Sequence, residues 1–167
     1  AGKSRLAVDT LEKLMQAGLR RDAALRVLNA ALLAGEDSEV FTTLDVAIFD
    51  LYSGDLEFVK AGAAPSFILR EGNLTRVDSR GMPAGLLPQW EACVTRSRVQ
   101  AGDTVILLSD GLLPPGEPEG PLRDFITSFD RHHGSLARAM VSFCRKAYGH
   151  IPADDMTAVV VDVKKHG

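Results

Sequence analysis

The chain has 167 residues, 46% hydrophobic and 25% charged, with a formal net charge of −3. That length suits one domain able to bury a real core, and the charge leaves no basic footprint for nucleic acid. No run of about 18 apolar residues is present to span a membrane, and Ala1-Gly2-Lys3-Ser4 leads into a helical pattern, not a signal peptide.

Leu6, Thr10, Leu11, Leu14 and Met15 recur at helical spacing, and Gly18 is placed to end that run. Asp22 can cap a second helix with an apolar stripe at Leu25, Leu28, Ala31 and Leu32, followed by a loop at Gly35-Glu36-Asp37-Ser38. Phe41 to Leu51 is apolar on both alternating faces, the pattern of a central strand in a covered sheet. Ser53-Gly54-Asp55 turns the chain into a partner strand from Leu56 to Ala61. Two further strands, Ser66 to Leu69 and Leu74 to Val77, flank Glu71-Gly72-Asn73, and another runs through Trp90 to Val99.

Gly102-Asp103 then turns the chain into a short buried strand, Thr104 to Ser109. Pro114 to Pro121 holds four prolines and forms a loop or flap. Leu122, Phe125, Ile126 and Phe129 mark one helix, and Leu136, Met140 and Phe143 another, with Ser135 as its cap. Thr157 to Val163 closes the chain as a buried strand. Hairpin strands with helices grouped at front and back predict an α+β fold of layered sheets in a single domain.

Two acidic corners stand at strand ends. Ser109-Asp110-Gly111 follows Val105-Ile106-Leu107-Leu108, and Asp154-Asp155-Met156-Thr157 precedes Ala158-Val159-Val160-Val161. Carboxylates fixed at rigid strand ends can aim at a shared point, and Mg²⁺ and Mn²⁺ want such oxygen ligands. Either corner alone is also an ordinary turn or a solvated loop. Some forty residues of sequence separate them, so only the fold can bring them together.

Other motifs carry less. Gly2-Lys3-Ser4 matches the tail of a phosphate-binding loop, and Val105 to Asp110 resembles a strand ending in a magnesium-binding Asp, but the upstream strand and first glycine are missing. A nucleotide-binding protein is therefore only the third reading. His132-His133 has no acidic or cysteine partner at ligand spacing, and His150 and His166 are isolated. Ser66 lacks a His or Asp arrangement to activate it, and Lys164-Lys165 is a charged tail. Cys93 and Cys144, without C-x-x-C spacing, fit two buried thiols in a reducing cytosol.

Several ordered stretches carry a family resemblance. They are Phe41-Thr42-Thr43-Leu44-Asp45 with Ile48-Phe49-Asp50-Leu51, Phe58 to Phe67, Met82-Pro83-Ala84-Gly85-Leu86, Ala101-Gly102-Asp103 through Asp110-Gly111, and Asp154-Asp155-Met156-Thr157. In this order they resemble the PPM family of metal-dependent serine/threonine protein phosphatases, and within it the stage II sporulation protein E type. The resemblance covers 1–167 and implies a layered β-sandwich flanked by helices, with residues 4–33 as a regulatory helix pair. It implies two divalent ions, Mn²⁺ or Mg²⁺, that activate water for attack on phosphoserine. Asp110 and Asp154 would be the metal ligands and catalytic residues, with Asp155 as the alternative to Asp154 and Gly111 adjacent to the site.

The family also uses an earlier acidic strand and an Asp-Gly motif that this chain does not contain. The expectation is an amino-terminally truncated, inactive domain lacking its first strands, with an exposed edge prone to self-association. The implied partner is a phosphorylated anti-sigma-factor antagonist, in a cytoplasmic domain of a membrane-anchored protein that controls sporulation. The competing expectation is a non-catalytic, phosphatase-like module for protein binding or oligomerisation.

Overall fold

The computed structural model describes residues 2–35, 41–78, 81–114, 116–130, 132, 134–148 and 155–165. In chain order these form α1 (Gly2–Gln16), α2 (Arg21–Leu33), β1 (Leu44–Phe49), β2 (Asp55–Ala61), β3 (Ser66–Arg70), β4 (Asn73–Val77), β5 (Cys93–Arg98), β6 (Thr104–Leu108), α3 (Gly120–Ser128), α4 (Leu136–Ala147) and β7 (Ala158–Asp162). The strands make a three-stranded sheet, β1-β2-β5, and a four-stranded sheet, β4-β3-β6-β7. The α+β class expected from the hairpin pattern is the one observed.

The chain divides into two compact units. Unit 1 comprises Ala1–Ile48, Glu57–Ala63 and Ser79–Thr95, and unit 2 comprises Phe49–Leu56, Ala64–Asp78 and Arg96–Gly167. In unit 1, α1 and α2 bury one stripe each: Ala7 and Leu11, then Ala24, Leu25, Leu28 and Leu32. These pack with Leu44, Val59, Ala61, Ala84 and Trp90 into one core. Gly18, at φ +84°, ends α1, and the amide of Leu19 reaches back to the Leu14 carbonyl at 3.1 Å. Asp22 is not the cap of α2. Arg20 holds that position without a side-chain bond, and Asp22 lies in the first helical turn, where its charge complements the helix dipole.

Polar side chains pin the rest of unit 1. Lys60, 1% exposed, pairs with Asp45 at 2.7 Å. Asn29 donates to the Leu87 carbonyl at 3.0 Å and accepts from the Gly85 amide at 2.7 Å, fastening the 82–90 segment to α2. The Trp90 indole donates to the Met82 carbonyl at 2.8 Å. Arg21 also pairs with Glu57. The strand expected from Phe41 to Leu51 is shorter, Leu44–Phe49, and stands at one end of its three-stranded order. Its ends are solvent-facing: Phe41 is exposed, and the Asp50 carboxylate takes the amides of Tyr52 and Ser53 into a turn.

Unit 2 is organised by strand pairing. Antiparallel ladders join Ser66↔Val77 through Arg70↔Asn73, Phe67↔Ile106 through Leu69↔Thr104, and Thr104↔Asp162 through Leu108↔Ala158. Glu71 and Gly72, at φ +49° and +80°, make the two-residue turn of the β3–β4 hairpin, so Asn73 belongs to β4. Phe67, Ile106 and Leu108 from the sheet pack with Leu112, Leu122, Ile126, Met140 and Cys144. The proline-rich stretch is a loop only to Glu119, because Pro121 sits in the first turn of α3, where it lacks no needed donor. Ser135 caps α4, as its position suggests, through a long 3.5 Å contact with the Arg138 amide.

Candidate functional site

The four-stranded sheet brings the Asp110 corner beside the Asp155–Thr157 segment. β6 carries Val105 and Ile106 at 0% exposure and β7 pairs with it in full register, so both strand ends are fixed by the same ladder. Beyond Leu108↔Ala158, the Ser109 amide still donates to the Thr157 carbonyl at 2.9 Å. The Ser109 hydroxyl accepts from the Thr157 amide at 2.9 Å and donates to the Asp155 carbonyl at 2.8 Å. The convergence that sequence spacing alone could not establish therefore occurs for Asp110 and the Asp155–Thr157 segment. Asp154 lies outside the described residues.

The turn at Asp110-Gly111 is anchored from below. The Leu112 amide donates to the Ser109 carbonyl at 3.0 Å, and Leu112 and Leu113 enter the unit 2 core at 0% and 9% exposure. Asp110 is left exposed above them. Gly111 is buried in this turn. The sequence pattern marks Ser109 only as the first residue of its corner, without a role, and does not single out Leu112 and Leu113. The signal available was a hydroxyl directly before Asp-Gly and an apolar pair directly after it.

Asp110 and Asp155 bring carboxylates to this sheet end, and oxygen ligands of that kind suit a hard divalent cation. Among the described residues no three His, Cys, Asp or Glu side chains are grouped closely enough to hold a metal ion. The two carboxylates match such an ion in kind. An open cleft of 1330 Å³ in unit 1, between α2 and residues 88–94, is lined by Arg21, Leu25, Asn29 and Trp90 and includes neither acidic corner.

The remaining sequence candidates stay apart from this corner. Gly2, Lys3 and Ser4 form the first turn of α1. His132 is exposed, while His133, His150, His166, Pro115 and Glu36-Asp37-Ser38 lie outside the described residues. Ser66 is fully buried in β3. Cys93 and Cys144 are both free, the first only half-buried, and burial pushes the Cys144 thiol up to about 11. No helix among the described residues is long and apolar enough to cross a membrane.

Comparison with known proteins agrees over nearly all of the chain. The family model of stage II sporulation protein E matches residues 1–164. Stage II sporulation protein E of Bacillus subtilis strain 168 is 31% identical over 174 aligned residues, covering 96% of this chain and 20% of that protein. The solved PP2C phosphatase domain of SpoIIE from Bacillus subtilis, with a fragment of its regulatory domain, superposes with a TM-score of 0.82 at 26% identity. That match covers 95% of this chain and 49% of the solved one. The manganese-presoaked phosphatase domain of the same protein gives a TM-score of 0.66 at 26% identity, over 96% of this chain and 73% of that one. The present chain thus spans about a fifth of the curated relative it matches. On the family match and the shared architecture, this chain belongs to the stage II sporulation protein E family and has the fold of a PPM-type phosphatase domain.

Proposed function

We propose that this chain is the part of a metal-dependent protein serine/threonine phosphatase that supplies the late metal ligands. The observation that carries this reading is the meeting of the Asp110 corner with the Asp155–Thr157 segment through Ser109. Asp110 and Asp154, or Asp155 in place of the latter, would hold Mn²⁺ or Mg²⁺. When bound, a pair of such ions supplies Lewis acidity toward water and toward phosphoryl oxygens. The chain's own contribution is to fix the carboxylates at rigid strand ends, so that little reorganisation is needed when phosphoserine arrives. No side-chain nucleophile is required.

The substrate class in this reading is phosphoserine on an anti-sigma-factor antagonist, met in the cytoplasm by a domain of a membrane-anchored protein. Residues 4–33 then act as a regulatory helix pair, supported by the burial of both their stripes in the unit 1 core. The second reading is a phosphatase-like module for protein binding or self-association. Phosphate release from a phosphoserine protein, with Mn²⁺, by the protein that carries this chain separates the two. Because even partners of metal ligands cost 10–100-fold when removed, Asp110→Asn should lower the rate by at least about 100-fold. An unchanged rate overturns the phosphatase role. The 167-residue chain by itself should bind Mn²⁺ weakly and release no phosphate, and turnover by it would sink the idea that its ligand set is partial.

A further inference from the structure

We propose that Ser109 is a positioning residue for the metal corner, acting through the backbone of residues 155–157. In an antiparallel ladder, a hydrogen-bonded pair exchanges both amide-to-carbonyl bonds. Ser109 and Thr157 form such a pair with one bond rerouted. The Ser109 amide donates to the Thr157 carbonyl at 2.9 Å, but the Ser109 carbonyl accepts from Leu112 at 3.0 Å instead, because the chain has already begun to turn. The Ser109 hydroxyl takes the vacated place as acceptor for the Thr157 amide, at 2.9 Å. Its own proton goes to the Asp155 carbonyl at 2.8 Å.

One hydroxyl, with one donor and two acceptor sites, thereby lets β6 leave the sheet at Asp110 while β7 stays paired for one residue more. The separation of the Asp110 and Asp155 backbones is set by this bridge. An alanine here removes the acceptor of the Thr157 amide and the hydroxyl bond to the Asp155 carbonyl, so that the Ser109 amide to Thr157 carbonyl bond alone remains of the three Ser109 contacts with the 155–157 segment. A matched contact exists at the other end of the same strand pair: the Thr104 hydroxyl donates to the Asp162 carboxylate at 2.7 Å. It joins the same two strands and lies far from the acidic corners in the ladder.

This inference rests on the metal-dependent reading above, and the experiment keeps the two apart. Mn²⁺ is titrated into the isotopically labelled protein that carries this chain, with paramagnetic broadening of the Asp110 and Thr157 amide signals as the readout of binding. Amide exchange at Thr157 and global stability are measured in parallel. Ser109→Ala should weaken Mn²⁺ binding about tenfold, the range seen when partners of metal ligands are removed, and speed exchange at Thr157. Ser109→Thr, which keeps the hydroxyl, should restore both. Thr104→Val should lower stability and leave Mn²⁺ binding unchanged. Wild-type-like binding by Ser109→Ala, or equal weakening by Thr104→Val, overturns the inference. Wild-type protein that shows no broadening overturns the metal reading itself, and the inference with it.

Discussion

The two units of this chain solve the same problem by different means. Unit 2 is specified by backbone pairing, since β3, β4, β6 and β7 are registered residue by residue before any side chain is considered. Unit 1 relies on side chains: a helix pair closes its core, while Lys60–Asp45, Asn29 and Trp90 hold its polar and irregular parts. A one-residue slip in unit 2 would turn every core residue of a strand to the other face. The corresponding risk in unit 1 is loss of a single anchoring side chain. Carboxylates that must keep fixed places are better served by the first kind of construction, and Asp110 and Asp155 sit at the end of that sheet.

Truncating one large core residue in each unit gives the hardest test of this contrast. Phe67→Ala in unit 2, at a site with 0% exposure, should cost about 3–5 kcal/mol, and Leu28→Ala in unit 1, at 1%, about 2–5 kcal/mol. Amide exchange should accelerate mainly within the mutated unit. Equal acceleration throughout the β3–β6 ladder in Leu28→Ala would break the distinction.

Acid should act on unit 2 through Asp103. Its carboxylate is held below the usual carboxylate range chiefly by the Arg70 guanidinium, at 2.9 and 2.6 Å, with burial opposing and the Gln100 amide assisting. A group whose folded pKa is depressed stabilises fully above its unfolded value of about 3.9, and that contribution is lost as pH falls through the folded value. Asp103→Asn should therefore lower stability at neutral pH and flatten the loss below about pH 4. Denaturant titrations of wild type and variant across that range test this, and parallel curves would count against it. The smallest effect belongs to α4. Ser135→Ala removes a cap bond that is already long at 3.5 Å, so about 0.5 kcal/mol is expected in the denaturant midpoint. A loss several times larger would mean that α4 depends on its cap more than on Leu136, Met140 and Cys144 in the core.

Much of unit 2 was legible in the sequence because its strands are short apolar runs bounded by turn residues, as at Glu71-Gly72 and Gly102-Asp103. The α2 stripe was equally clear from its spacing at Leu25, Leu28 and Leu32, whereas Ala31, read with them, is exposed. The Phe41 to Leu51 stretch misled because apolar identity is not burial: Phe41 is 54% exposed and Leu51 91%. Asp22 misled because a capping residue type and a first-turn acid look alike in sequence, and only backbone geometry separates them. At the site, the acidic corners were visible as motifs, Ser109 among them, but the bridging role of Ser109 was not. Its importance depends on a carbonyl being turned toward Leu112, and nothing local in the sequence encodes that.

The buried indole of Trp90 has a practical consequence. It is the chain's one tryptophan, packed in the unit 1 core with its N–H on the Met82 carbonyl, while both tyrosines, Tyr52 and Tyr148, belong to unit 2. Tyrosine and tryptophan absorb and emit at different wavelengths, so the chain carries its own pair of optical labels. Excitation selective for tryptophan follows the unfolding of unit 1, and the near-ultraviolet signal of buried Tyr148 follows unit 2. Coincident curves would mean that the two cores melt as one, and separated curves would give each its own melting temperature, without any added dye.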